Sequence, residues 1–156
     1  MEVDDRLVGR RLPLGTQPLR HARARGAKPL ACVAGLAFST EVGHCRCADS
    51  DATALVEIVR EALEQADVKA EDVGAFCSSG PPRRIAELTA RVCPEWADRT
   101  VDVSRHTGCL EGAQPLFDLA AALLTSPDRQ ASPGHVLAVS TSPHGVNCAV
   151  VFQTER

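Results

Sequence analysis

Ser104-Arg105-His106-Thr107-Gly108-Cys109-Leu110-Glu111-Gly112-Ala113-Gln114-Pro115-Leu116-Phe117-Asp118-Leu119-Ala120-Ala121-Ala122-Leu123-Leu124 is the stretch on which the reading of this chain turns. Its second half has helical spacing and almost no polar face. Leu116, Leu119, Ala120 and Leu123 share one side; Ala113, Phe117, Ala121 and Leu124 share another. Only Glu111, Gln114 and Asp118 are polar. A helix that is apolar nearly all round is covered on most sides. This one is too short to span a bilayer. In a chain of 156 residues, one small sheet cannot cover both sides of it. The helix therefore calls for a second layer, supplied by another chain or by a partner.

Outward from this stretch the chain alternates strands and helices. Residues 29–40 form an apolar run of small and β-branched side chains, which predicts a buried strand long enough to be central. In residues 51–66, Leu55, Ile58, Val59, Ala62, Leu63 and Ala66 fall on one helical face, with Ser50 or Asp51 as N-cap. Strands are expected at 73–78, 100–104, 135–141 and 146–152, and a second helix at 83–92. A short helix over 19–27 would end at Gly26. The order β-α-β-α-β-α-β-β predicts an α/β fold, a five-stranded mixed sheet covered by helices, with right-handed parallel crossovers and a closing antiparallel hairpin at its edge.

Composition sets the remaining bounds. Apolar residues make up 44% and charged residues 24%, ordinary for a soluble globular chain. Aromatic residues are only 3%, so the core is built from Ala, Val and Leu. The formal charge is −3, yet residues 6–28 carry only basic charges: Arg6, Arg10, Arg11, Arg20, Arg23, Arg25 and Lys28. Residues 1–18 read as a flexible basic leader, and 19–156 as the folded domain. The basic run is either solvated or an anchor for an acidic partner such as a carrier protein. No aromatic residues interleave with these charges, which argues against a nucleic-acid partner. There is no membrane-spanning run and no stretch that reads as a signal peptide, and the seven cysteines are an odd number. A cytoplasmic protein with free thiols is the expectation. His44-Cys45-Arg46-Cys47 lacks the second ligand pair of a structural zinc site, so no metal and no cofactor is expected.

Four segments, in order, resemble the carboxy-terminal half of a β-ketoacyl synthase, a thiolase-like fold. Residues 21–27 resemble the segment that opens that half, and 66–73 the turn before the family's HGTGT strand. Thr107-Gly108-Cys109-Leu110-Glu111-Gly112-Ala113 resembles TGHLLGA, and residues 139–152 resemble the closing NSFGFGGTNA hairpin. The resemblance implies a half-thiolase domain whose apolar helix lies between two sheets. It also implies a degenerate site. The family's first catalytic His is matched by Ser79, its second by Cys109, and its Lys by Ser104; the nucleophilic Cys belongs to the other half. Condensation needs imidazoles to stabilise developing negative charge, which Ser and Cys do not replace.

The resemblance therefore implies a catalytically incomplete subunit. It would form a homodimer or dock on a ketosynthase chain in polyketide or fatty-acid biosynthesis and shape an acyl pocket, with an acyl carrier protein as a further candidate partner. Leu116, Phe117, Leu119, Ala120 and Leu123 are the expected partner interface, and Ser79, His106 and Asn147 the expected pocket lining. The alternative is an acyl-transfer or thioester-processing enzyme using Cys109 and His144. Cys109 at a helix start would have a lowered pKa, and a Cys–His pair can process thioesters; the plain alternative is a packing Cys and a surface His.

Overall fold

The computed structural model describes residues 17–41, 51–108, 110–125, 134–142 and 144–154. Most of the basic leader, the His44-Cys45-Arg46-Cys47 segment and Cys109 lie outside the described residues. The elements run α1 (Leu19–Ala24), β1 (Ala31–Thr40), α2 (Thr53–Ala66), β2 (Ala75–Ser79), α3 (Pro82–Val92), β3 (Thr100–Val101), α4 (Ser104–Thr107), α5 (Gln114–Thr125), β4 (His135–Thr141) and β5 (Val146–Thr154). The five strands form one sheet in the order β1-β5-β4-β2-β3. β2 is parallel to β3 and β4, while β5 runs antiparallel to both β4 and β1. The α/β architecture and the mixed five-stranded sheet are as the sequence predicts.

Two placements differ. β1 is an edge strand, not a central one, and β5 is slotted between β1 and β4 instead of forming the edge. A strand that is apolar on both faces reads the same at either place; the sheet order is set by crossover geometry.

α2 and α3 cover one face of the sheet. Leu55, Ile58, Val59 and Ala62 of α2 meet Phe76, Leu137, Val139, Ala149 and Val151 in a single core. Asp51 caps the entry to α2 by accepting from the Thr53 N–H at 2.9 Å, and Asp67 ends it in a left-handed conformation at φ 53°. A bulge between Val33 and Gly35 brings Gly35 against α2; a Cβ there would overlap the Ala62 carbonyl oxygen. Trp96 closes the far end, stacked on Phe76 at 4.9 Å, with its indole N–H donating to the Ala70 carbonyl at 3.2 Å.

α5 covers only part of the other face. Leu119 and Ala122 pack with Cys77, Val136, Ala138, Val150 and Phe152, and the helix lies over β4, β2 and β3. Over the β1–β5 half of that face the described residues place only α1, whose Leu19 and Ala22 share a cleft with Val33, Leu116, Leu119 and Phe152, and the rest of it is open. Val33, Leu36, Phe38 and Val146 stand exposed there, Phe38 at 62%.

The apolar helix is thus sided differently from its expected interface. Leu119 turns into the chain's own core, and Leu116 and Leu123 pack beside it. Phe117 and Leu124 face out, with Ala120 half-buried. Gln114 and Asp118, although polar, are buried. Leu119 is therefore removed from the outward set.

Candidate functional site

A cavity of about 590 Å³ lies beside α5, over the open part of the β1–β5 half of the sheet. Its apolar floor comes from β1 (Leu36, Phe38) and β5 (Cys148, Val150, Phe152), and its side wall from Leu116. One end is polar. Ser79 ends β2, Ser140 and Thr141 end β4, and Ser142 and His144 belong to the turn into β5. That turn is fixed by the Ser142 hydroxyl, which accepts from the backbone N–H groups of His144 and Val146, each at 3.2 Å. Gly145 holds φ 81°, and a Cβ there would strike the Glu41 carbonyl oxygen, so β1 and the turn meet only through a glycine.

The structure brings Ser79 and His144 to one cavity and places the other expected residues elsewhere. His106 is exposed on α4 and lines a separate cleft with Asp102, Arg105 and Thr89. Asn147 is corrected outright. Along β5 the cavity receives Val146, Cys148, Val150 and Phe152, so strand alternation turns Asn147 to the opposite face. There its amide N–H₂ donates to Ser39 at 3.1 Å and to the Glu41 carboxylate at 2.8 Å. Cys109 is outside the described residues. On either side of it, α4 ends at Thr107 and α5 begins at Gln114.

Cys148, which the sequence reading passed over, lines the cavity floor. Burial pushes its thiol up to about 11, so it is a neutral apolar group and not a thiolate. Cys77 is fully buried, donates to the Asp118 main-chain carbonyl at 3.3 Å, and is pushed up strongly by desolvation.

Two buried charges were also missed. Arg84 is fully buried and bonded to Glu41 at 2.8 Å. Asp118 is fully buried behind Gln114, and desolvation pushes its carboxyl up to about 6. Among the described residues no group of three or more metal-ligating side chains converges, and no helix is long and apolar enough to cross a membrane. Chemically the cavity offers a long apolar floor with hydroxyls and one imidazole at its mouth. That suits an extended apolar chain carrying a polar head.

No family model matches the sequence, and no curated protein does. Solved structures do match. AntDE:AntF, a type II polyketide synthase acyl-carrier protein in complex with its ketosynthase bound to the hexaketide, superposes with a TM-score of 0.65 at 17% identity, over 88% of this chain and 41% of that one. The ishigamide ketosynthase/chain length factor gives 0.65 at 22% identity, over 88% and 41%. A β-ketoacyl synthase from Burkholderia phymatum STM815 gives 0.64 at 18% identity, over 88% and 40%. The chain spans about two fifths of the length of these structures. Strand order, the single antiparallel strand and the placement of α5 together give this chain the fold of a thiolase-like half-domain of the kind found in ketosynthases and chain length factors.

Proposed function

We propose that the chain acts as a ketosynthase-like subunit without condensation chemistry of its own. It docks on a ketosynthase chain, or on a second copy of itself, in polyketide or fatty-acid synthesis, and contributes a wall to an acyl pocket. The observation that carries this reading is the half-covered sheet. Leu36, Phe38 and Val146 line the cavity and stand exposed, and Phe117 and Leu124 are exposed on α5. Surfaces of this kind mark interaction sites. The neighbours are consistent with such a partnership, one solved as a ketosynthase with its chain length factor and one as a ketosynthase with its carrier protein.

The absence of an imidazole at position 79 supports a non-condensing role, because Ser79 stands at the mouth where a cationic donor would be needed. Co-expression with a ketosynthase, followed by co-purification and product analysis, tests the proposal. A stable complex whose product length changes when Phe152 or Cys148 is enlarged supports it. Unaltered products, or turnover of acyl thioesters by the isolated chain that Cys109→Ala abolishes, overturn it in favour of an enzyme built on Cys109 and His144.

A further inference from the structure

A second cleft, of about 490 Å³, lies between α1, the start of β1 and α5, and shares Val33, Leu116 and Phe152 with the larger cavity. Its back wall is buried and apolar: Ala22 of α1, Leu119 of α5 and Phe152 of β5. Its mouth is apolar but open, since Leu30 and Val33 line it with 61% and 50% of their surface exposed. Two cations, Arg25 and Lys28, share that lining. A mostly apolar lining with a few placed polar groups is the usual make-up of a small-molecule site.

The local fold sets where the cations stand. α1 ends in a Schellman motif: the Ala27 N–H donates to the Ala22 carbonyl at 3.0 Å, and the Gly26 N–H to the Arg23 carbonyl at 3.0 Å. Gly26 supplies the left-handed conformation this needs, at φ 70°. The backbone that carries Arg25 and Lys28 is therefore fixed before any ligand arrives. Neither side chain forms a salt bridge among the described residues. No acidic residue occurs from Gln17 to Thr40, and none lines the cleft. Arg20 and Arg23 stand exposed on α1 itself, so the charge here is all of one sign.

An inorganic anion would satisfy the cations and leave Leu30 and Val33 in water. A neutral alkane would cover those side chains and leave the cations unmatched. An alkyl chain with a compact anionic head does both. We propose that this cleft binds a free medium-chain fatty acid, its carboxylate between Arg25 and Lys28 and its chain over Leu30 and Val33 towards Phe152. The guanidinium fork matches a carboxylate through two parallel N–H···O bonds, and the Lys28 ammonium adds a third donor. The head lies at the start of β1, whereas Thr141 and His144 flank the far end, where Thr40 pairs with Val146. The ligand therefore runs opposite to one whose polar head sits among the hydroxyls. The cleft is built by this chain alone, so the proposal goes beyond docking on a ketosynthase and does not rest on it.

The test is isothermal titration of the full-length chain with decanoate, below its micellar concentration, and with decanol, which has the same chain and no charge. Saturable one-to-one binding of decanoate, at least about tenfold tighter than decanol, is the expected result. Arg25→Gln with Lys28→Gln alters only exposed side chains; it should bring decanoate down to the level of decanol and leave decanol unchanged. Phe38→Ser, which alters the larger cavity and not this cleft, should leave decanoate binding as it is. No saturable binding, equal affinity for the two ligands, or an unchanged double variant overturns the proposal. So does loss of binding in Phe38→Ser, which would move the ligand to the larger cavity. Binding of polyglutamate in place of decanoate would overturn it in favour of an acidic protein partner.

Discussion

Phe38→Arg separates the stability of this chain from its assembly. Phe38 sits on edge strand β1 with 62% of its surface exposed. An aromatic ring of about 200 Å² therefore has roughly 120 Å² still to be covered, worth about 3 kcal/mol at ~25 cal/mol per Å². In the isolated chain this surface already faces water, so the substitution leaves the thermal midpoint within a few degrees of wild type. In an assembly seated on β1 and β5, the same change removes about 3 kcal/mol and buries a charge, which weakens association at least about 100-fold. Sedimentation of the chain alone and with a ketosynthase partner reads the effect directly. Val146→Arg, on the neighbouring strand and 44% exposed, is a second probe of the same surface. Wild-type association by both variants would refute the docking argument. So would a wild-type chain that stays monomeric at high concentration and binds no ketosynthase.

Three further outcomes follow from the interior. Asp118 has a native pKa of about 6, raised from 3.8, so the native state holds its proton more tightly. The stability this group contributes is complete below pH 4 and is lost as pH rises through 6, a change of about 3 kcal/mol. Urea denaturation of Asp118→Asn should accordingly gain on wild type by about that amount between pH 4 and pH 7.5; a pH-independent difference would contradict the assignment. Arg84→Met strands the half-buried Glu41 carboxylate with only hydrogen-bond donors, and should cost about 3–5 kcal/mol in the same assay. Gly35→Ala places a methyl into the Ala62 carbonyl, so β1 must separate from α2. A lowered thermal midpoint and a loss of near-ultraviolet ellipticity around Trp96 smaller than the loss of β1 protection are expected, measured by circular dichroism and hydrogen exchange.

Periodicity made much of the fold legible. The 3.6-residue spacing of Leu55, Ile58, Val59, Ala62 and Leu63 located α2, and the same residues form its buried face. The family resemblance supplied the half-domain, which the superpositions bear out at the level of fold. What was misread has a common cause. β1 looked central because both its faces are apolar, yet one face meets α2 and the other is open. Hydrophobicity records that a face is to be covered, and is silent on which chain covers it. Arg84 and Asp118 are charged and yet buried, each by contacts distant in sequence, Arg84 with Glu41 and Asp118 with Cys77. Asn147 was given to the cavity although simple alternation from Val146 turns it away. That signal was available in the sequence once the strand's first residue was fixed.

β1 closes the sheet by pairing with β5, the last strand of the chain. Ser39 and Asn147, bonded across that seam, are 108 positions apart. A pairing so distant forms late, since a long loop must close before any contact compensates for it. During synthesis on the ribosome, residues 31–40 emerge more than 100 residues before their pairing partners in β5. Over that interval α2, held to β1 through Gly35 and through Gln65, whose side-chain oxygen accepts from the Leu36 N–H at 3.0 Å, is the element available to guard an apolar strand against neighbouring nascent chains. The yield of folded protein should therefore be more sensitive to changes in the α2–β1 contact than equilibrium stability is.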